Sequence, residues 1–220
     1  MLRFERQAWR SGRRRVGGVD EAGRGPWAGP VFAACVVFDP GYAPAARRGP
    51  LRGLTDSKRL SAAARERYFA ALSSAGADRV AVGWARAEVG EIDRWNILRA
   101  TVLAMSRAVA ACGAAPDFLL VDGLPVVLPC PSRAIVGGDG LSLSIAAASV
   151  VAKVLRDRAM REIDAQYPGY GFARHKGYGT PEHAEALRRL GPCPAHRRHF
   201  APVADAMGGR LREVELPVGP

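Results

Sequence analysis

Three acidic residues share one sequence context. Asp20 follows Val-Gly-Gly-Val, Asp122 follows Phe-Leu-Leu-Val, and Asp139 follows Ala-Ile-Val-Gly-Gly. Each stands at the C-terminal end of an apolar, strand-like run, with a glycine close behind. In open α/β sheets, ligands bind outside the carboxyl ends of strands. Carboxylates gathered there repel one another unless a cation sits between them. Hard oxygen donors suit Mg²⁺ or Mn²⁺. Adjacent ions held this way can stabilise the attacking and leaving oxygens of a phosphodiester cut. Taken singly, each Asp reads better as the opening of a turn; three together in a basic chain favour the metal reading. Glu21 adds a fourth acid. Neighbours on a regular strand face opposite sides, so Asp20 and Glu21 share a site only if the strand twists or ends there. The Gly23-Arg24-Gly25-Pro26 segment allows that, because glycine tolerates the backbone angles needed.

The elements that must carry these residues can be read from apolar spacing. Val16 to Val19 reads as a short strand, Val31 to Phe38 as a central strand apolar on both faces, and Arg79 to Arg86 as a third. Phe118 to Val121 and Ala134 to Val136 are two further strand-like runs. Helical patterns cover Ser61 to Ala75, Glu91 to Cys112 and Ser144 to Tyr167, and another opens at Thr180-Pro181. In the second of these, Ile92, Trp95, Leu98, Val102, Met105 and Val109 recur every three or four residues. Residues 39 to 53 and 168 to 179 read as loops. The order predicts a mixed sheet flanked by helices. Three segments follow: a basic flexible arm over residues 1–15, a catalytic domain over 16–190, and an extension packed on it over 191–220.

The chain has 220 residues, with 32 Lys and Arg against 21 Asp and Glu, a net charge of +11. Nearly all of the positive charge is arginine, which suits forked contacts to phosphate. Nucleic acid is the first partner such a balance suggests. With no side chains at 23 and 25, main-chain amides could meet a sugar or phosphate oxygen. Reading the 2′-hydroxyl that separates RNA from DNA needs such a close polar contact. No apolar run reaches membrane length, the four cysteines form no CxxC pair, and the first residues lack the apolar core of a signal peptide. The expectation is a cytoplasmic protein, with no zinc site or disulfide framework.

The segment from Gly18 to Val31 closely resembles the opening signature of the ribonuclease HII family. Four later segments resemble that family in the same order. They are Asp56-Ser57-Lys58, Val121-Asp122-Gly123, Gly138-Asp139 with Ile145 to Asp157, and His175 to Thr180. The likeness runs from about residue 15 to 202.

The resemblance implies an α/β ribonuclease H-like fold: a five-stranded mixed sheet flanked by helices, with a small helical C-terminal region. It implies a metal-dependent endonuclease acting on the RNA strand of RNA–DNA hybrids. It also implies cutting 5′ to single ribonucleotides in duplex DNA, as ribonucleotide excision repair requires, with 5′-phosphate and 3′-hydroxyl ends. Asp20, Glu21, Asp122 and Asp139 match the four acidic positions, holding Mn²⁺ or Mg²⁺, two ions with substrate bound. Asp157 competes with Asp139 for the fourth place, though its neighbour Arg156 suggests a structural ion pair instead. Gly23, Arg24 and Gly25 match the motif that reads the 2′-hydroxyl. Tyr178 matches the tyrosine that packs on the sugar at the RNA-to-DNA step. Lys58, Lys153 and Arg156 match phosphate contacts.

The expected partners are RNA–DNA hybrids and DNA duplexes containing ribonucleotides, with no membrane, bound by a monomer. In two places the chain departs from the family pattern. Gly137 stands where lysine is common, and His199 where a small polar residue is usual. Two other readings fit part of the pattern: a ribonuclease H-like nuclease for branched DNA, and a non-catalytic hybrid-binding protein.

Overall fold

The computed structural model describes residues 1–208. Its sheet has five strands: β1 (Val16–Ala22), β2 (Val31–Phe38), β3 (Val80–Ala87), β4 (Phe118–Asp122) and β5 (Ser132–Ile135). They lie in the order β3-β2-β1-β4-β5. β2 pairs antiparallel with both β1 and β3, while β4 pairs parallel with both β1 and β5. The sheet is therefore mixed, as expected. β1 lies at its centre, and its parallel partner β4 ends beside it.

β2 shows why both faces must be covered. Phe32, Ala34, Val36 and Phe38 enter one apolar cluster, and Val31, Ala33, Cys35 and Val37 enter the other. That is the alternation of a strand buried on both sides. Helix α5 (Leu143–Gln166) packs its alanine- and valine-rich first turns on the first face, and α4 (Val89–Ala111) packs on the second. Gly18 sets how closely α5 approaches. A Cβ there would lie 2.1 Å from the Ser144 carbonyl carbon, so the helix start presses directly on the strand that carries Asp20.

Ser61 caps α3 (Ala62–Ser73), and Thr180 caps α7 (Pro181–Leu190) with proline in the first turn. Both match the sequence reading. Among the described residues, no helix is long and apolar enough to cross a membrane.

Four features differ from the sequence reading. Instead of a flexible arm, Arg3–Arg10 form a helix, α1, with Leu2 and Ala8 buried. The reason is Glu5, buried at the N-terminus of α5. It accepts from the Ser142 hydroxyl at 2.7 Å, and from the Ser144 amide and hydroxyl at 2.9 Å each. A carboxylate there also faces the positive end of the α5 dipole. Within the expected 39–53 loop lies a short helix, α2 (Ala43–Arg48), whose Ala43 and Ala46 are buried. Within the expected loop at 168–179, Phe172–His175 form a single turn, α6.

The fourth difference is a break inside α4. Asn96 has a φ of 64°, and its side chain accepts from the Leu98 and Arg99 amides at 2.9 and 3.1 Å, capping a second helical segment. The break shifts the helical phase. Leu98 is exposed, and Ala100, Ala104 and Ala108 join Met105 and Val109 in the core.

After α7 the chain forms α8 (Ala201–Ala206). Cys193 and Ala195 pack with Phe172 and Tyr170. The rest of the 191–220 extension, residues 209–220, lies outside the described residues.

Candidate metal centre

Asp20 lies near the end of β1, Asp122 ends β4, and Asp139 sits in a 3-10 turn (Gly138–Gly140) just after β5. The parallel pairing of β1 with β4 and of β4 with β5 brings these three strand ends together. One carboxylate oxygen from each lies within 4.8 Å of the others. None of the three is in a salt bridge among the described residues.

The electrostatics record that crowding. Burial, then Glu21 and Asp122, push the Asp20 carboxyl well above its usual range, against hydrogen bonds from the Glu21 amide and the Ser149 hydroxyl. Burial, Asp122 and Asp56 push Asp139 up to about 6. The Gly138 amide donates to Asp122 at 2.6 Å and fixes the turn that carries Asp139. Clustered, desolvated oxygen donors without a cationic partner form a donor set that a hard divalent cation satisfies.

Glu21 is beside this trio, not within it. Its carboxylate pairs with the Arg24 guanidinium at 3.4 Å, and burial raises its pKa while Arg24 opposes the rise. Both Asp20 and Glu21 line one cleft of ≈ 190 Å³, together with Gly23, Arg24, Gly25, Lys58, Lys153, Arg156 and Tyr178. The strand end does what the sequence reading required: adjacent acids reach a common space.

Asp157 is elsewhere. It accepts from Lys153 Nζ at 2.6 Å and lies 3.7 Å from an Arg65 nitrogen. The geometry therefore groups Asp139, and not Asp157, with Asp20 and Asp122. The structural ion pair expected at Asp157 is present, formed with Lys153 and Arg65 and not with the adjacent Arg156.

Arg156 is also used differently from the expected phosphate contact. It is 1% exposed. Its Nε donates to the Pro30 carbonyl at 3.3 Å, and its Nη2 to those of Ala28 and Lys176 at 3.4 and 2.9 Å. Its Nη1 is buried without a partner among the described residues. Gly23 makes room for this side chain. A Cβ at residue 23 would lie 1.9 Å from Arg156 Nε, and its φ of +101° is one that other residues rarely adopt. Tyr178 is partly exposed at the mouth of the cleft, its ring 5.8 Å from the Arg156 guanidinium carbon.

Sequence reasoning missed three residues here. Ser57 and Ser149 line the cleft and bond to each other at 2.8 Å. Both lie in segments that carried the resemblance, and their hydroxyls were the available signal. Arg197 reaches back from beyond α7 to the carbonyls of Gly23 and Arg24. It stands in a mixed tail with no pattern to mark it.

Comparison with known proteins agrees with this arrangement. The sequence profile of the Ribonuclease HII family matches residues 17–203. A Ribonuclease HII of Halorhodospira halophila is 56% identical over 198 residues, 88% of this chain and 95% of its own. That of Rhodospirillum rubrum is 57% identical over 195 residues, 88% and 87% of the two chains. Among solved structures, the ribonuclease H2 from Pyrococcus horikoshii matches with a TM-score of 0.72 and 26% identity, over 90% of this chain and 100% of its own. A ribonuclease HIII solved in complex with Mn²⁺ shares the fold at a TM-score of 0.70 and 18% identity, over 90% of this chain and 71% of its own. With a family profile spanning the sheet, the acidic trio and the segment after α7, this chain belongs to the ribonuclease HII family, metal-dependent endoribonucleases that cut RNA in RNA–DNA hybrids.

Proposed function

We propose that this cleft hydrolyses the phosphodiester on the 5′ side of a ribonucleotide, in hybrids and at single ribonucleotides embedded in duplex DNA. The products carry 5′-phosphate and 3′-hydroxyl ends. One observation supports this reading most: Asp20, a member of the acidic trio, lines with Glu21 the same cleft as Gly23, Arg24, Gly25 and Tyr178. An acidic cluster alone suits any metal nuclease. A glycine-flanked loop and an aromatic ring beside it suit recognition of a ribose followed by a deoxyribose.

Asp20, Asp122 and Asp139, with Glu21 beside them, would hold Mg²⁺ or Mn²⁺, two ions when substrate is bound. Bound there, the ions would lower the pKa of the attacking water and offset charge on the phosphate oxygens. The chain's own residues do the rest. Asp20 is held by the Glu21 amide at 2.7 Å, and Asp122 by the Gly138 amide at 2.6 Å, so the oxygens are pre-set before substrate arrives. Lys58 and Lys153 line the cleft as cations for the phosphate backbone. Arg24 lies beside Glu21 at the exposed rim, where it can meet substrate. The Tyr178 ring packs on the 3′ sugar and favours one without a hydroxyl. All these residues come from one chain, which suits a monomer. We place its work in the cytoplasm, in the removal of ribonucleotides from DNA.

The test is a duplex with one ribonucleotide beside the identical all-DNA duplex, with Mg²⁺ or Mn²⁺ and product ends mapped. A single cut 5′ to the ribonucleotide, with the control intact, is expected. Cleavage of the control would instead favour a nuclease for other DNA structures. Binding without cleavage under either ion would favour a non-catalytic hybrid binder.

A further inference from the structure

Arg197 is fully buried, and the described residues include no salt-bridge partner for it. Its guanidinium lies 5.1 Å from the Phe200 ring centroid, and its hydrogen bonds go to carbonyls. Nε donates to Gly29 at 2.9 Å, Nη1 to Arg24 at 2.8 Å and Nη2 to Gly23 at 2.5 Å. Its own amide donates to the Trp27 carbonyl at 2.8 Å. The residue is thus stitched to the 23–29 loop at both ends. A buried cation with no counter-ion is costly, and one that spends all three nitrogens on a single loop constrains that loop strongly.

Peptide geometry turns this into orientation. In a trans peptide the carbonyl and the next residue's N–H point in opposite directions, and no peptide bond among the described residues is cis. Drawing the Gly23 and Arg24 carbonyls inward to Arg197 therefore turns the Arg24 and Gly25 amides the other way. That side is the open one, where Gly23, Arg24 and Gly25 line the cleft next to Glu21 and Tyr178. Among the described residues, neither amide donates a hydrogen bond. Two donors without a partner among the described residues are thus held in residues that line the cleft.

We propose that Arg197 is a positioning residue for ribose specificity: it sets the Arg24 and Gly25 amides as a paired donor for the 2′-hydroxyl. This rests on the activity proposed above. Arg197 touches no substrate; it acts through the loop.

The test compares wild type with Arg197→Lys, which keeps the buried charge but has one ammonium that cannot span three carbonyls. Affinity is measured by fluorescence anisotropy, with Ca²⁺ in place of the catalytic ion. The probes are a one-ribonucleotide duplex and the same duplex in all-DNA form. The variant should keep its all-DNA affinity within about twofold and lose about tenfold of its preference for the ribonucleotide duplex. A merely structural role would lower both affinities together. A folded variant that keeps the wild-type preference overturns the proposal.

If Arg197→Lys does not fold, amide hydrogen exchange on wild type decides. Protection of the Arg24 and Gly25 amides by the ribonucleotide duplex, and not by the all-DNA duplex, supports the proposal. Equal protection, or none, overturns it. A wild type that neither prefers nor cuts the ribonucleotide duplex overturns the proposed activity and this inference together. Loss of the inference alone shows as a discriminating wild type beside an equally discriminating variant.

Discussion

Acidification should destabilise the folded protein through His196, by an amount the structure allows to be worked out. His183 and His196 are both buried, with their Nε2 atoms 3.1 Å apart. His183 Nδ1 faces the Tyr178 carbonyl at 2.9 Å and must donate to it, so its Nε2 accepts. His196 Nδ1 accepts from the Cys193 amide at 3.0 Å, so its Nε2 donates. The chain of bonds closes with both rings neutral. A proton on His183 would set two N–H groups against each other; one on His196 would oppose the Cys193 amide, a cost the Cys193 carbonyl at 3.3 Å offsets in part.

Burial and His183 hold His196 at about 4. The other titratable groups around the pair are His175 stacked on His183, Cys193 and Tyr170 against His196, and Glu182, which favours a charged His183. The folded pKa lies below the unfolded value of about 6.5. Between the two, the unfolded chain binds more protons. The stability is therefore fully present above about pH 6.5 and is lost as pH falls toward 4. Going from pH 7 to 5, His196 should cost about 1–2 kcal/mol, or about 2–8 °C in Tm for a chain of this size.

Urea unfolding, followed by tryptophan fluorescence with chelator present, measures it. Wild type and His196→Gln are compared at pH 7 and pH 5. Glutamine does not titrate, so the difference between the two pH responses isolates His196 from the acids of the metal centre. An identical stability loss in both proteins would refute the reasoning.

Three further outcomes are expected. Glu5→Ala removes an acceptor from three donors and leaves them buried; it should cost roughly 2–3 kcal/mol, read as a lower urea midpoint, while near-wild-type stability would restore the mobile-arm reading. Gly18→Val drives a side chain into the start of α5 and should cost roughly 3 kcal/mol or more, with activity falling alongside Tm; an unchanged melting curve contradicts the close contact. Lys58→Ala should flatten the dependence of duplex affinity on salt by about one unit of log Kd per log salt, and an unchanged slope would remove Lys58 from the phosphate contacts.

The chemistry was legible in the sequence where local pattern and function coincide. Asp20, Asp122 and Asp139 end apolar runs, and strands in that register must place their ends together. Ser61 and Thr180 signal helix starts through side chains that bond their own backbone. What stayed hidden depends on long-range partners. Glu5 is a charged residue in a polar segment, and only the distant Ser142 and Ser144 make its burial favourable. Arg197 bonds carbonyls more than 160 residues away, and carbonyls leave no trace in composition. Asn96 interrupts α4 with no proline to announce it, so the regular apolar spacing put Leu98 on the buried face with Ile92, Met105 and Val109, where the structure exposes it.

The central claim is that the acidic trio holds the metal that cuts. Its most direct test is cleavage of the one-ribonucleotide duplex by Asp20→Asn at saturating Mn²⁺, beside wild type, with the fold checked by circular dichroism. The account predicts a folded variant whose cleavage is abolished while wild type cuts 5′ to the ribonucleotide. A folded Asp20→Asn protein that cuts at near-wild-type rate would contradict it.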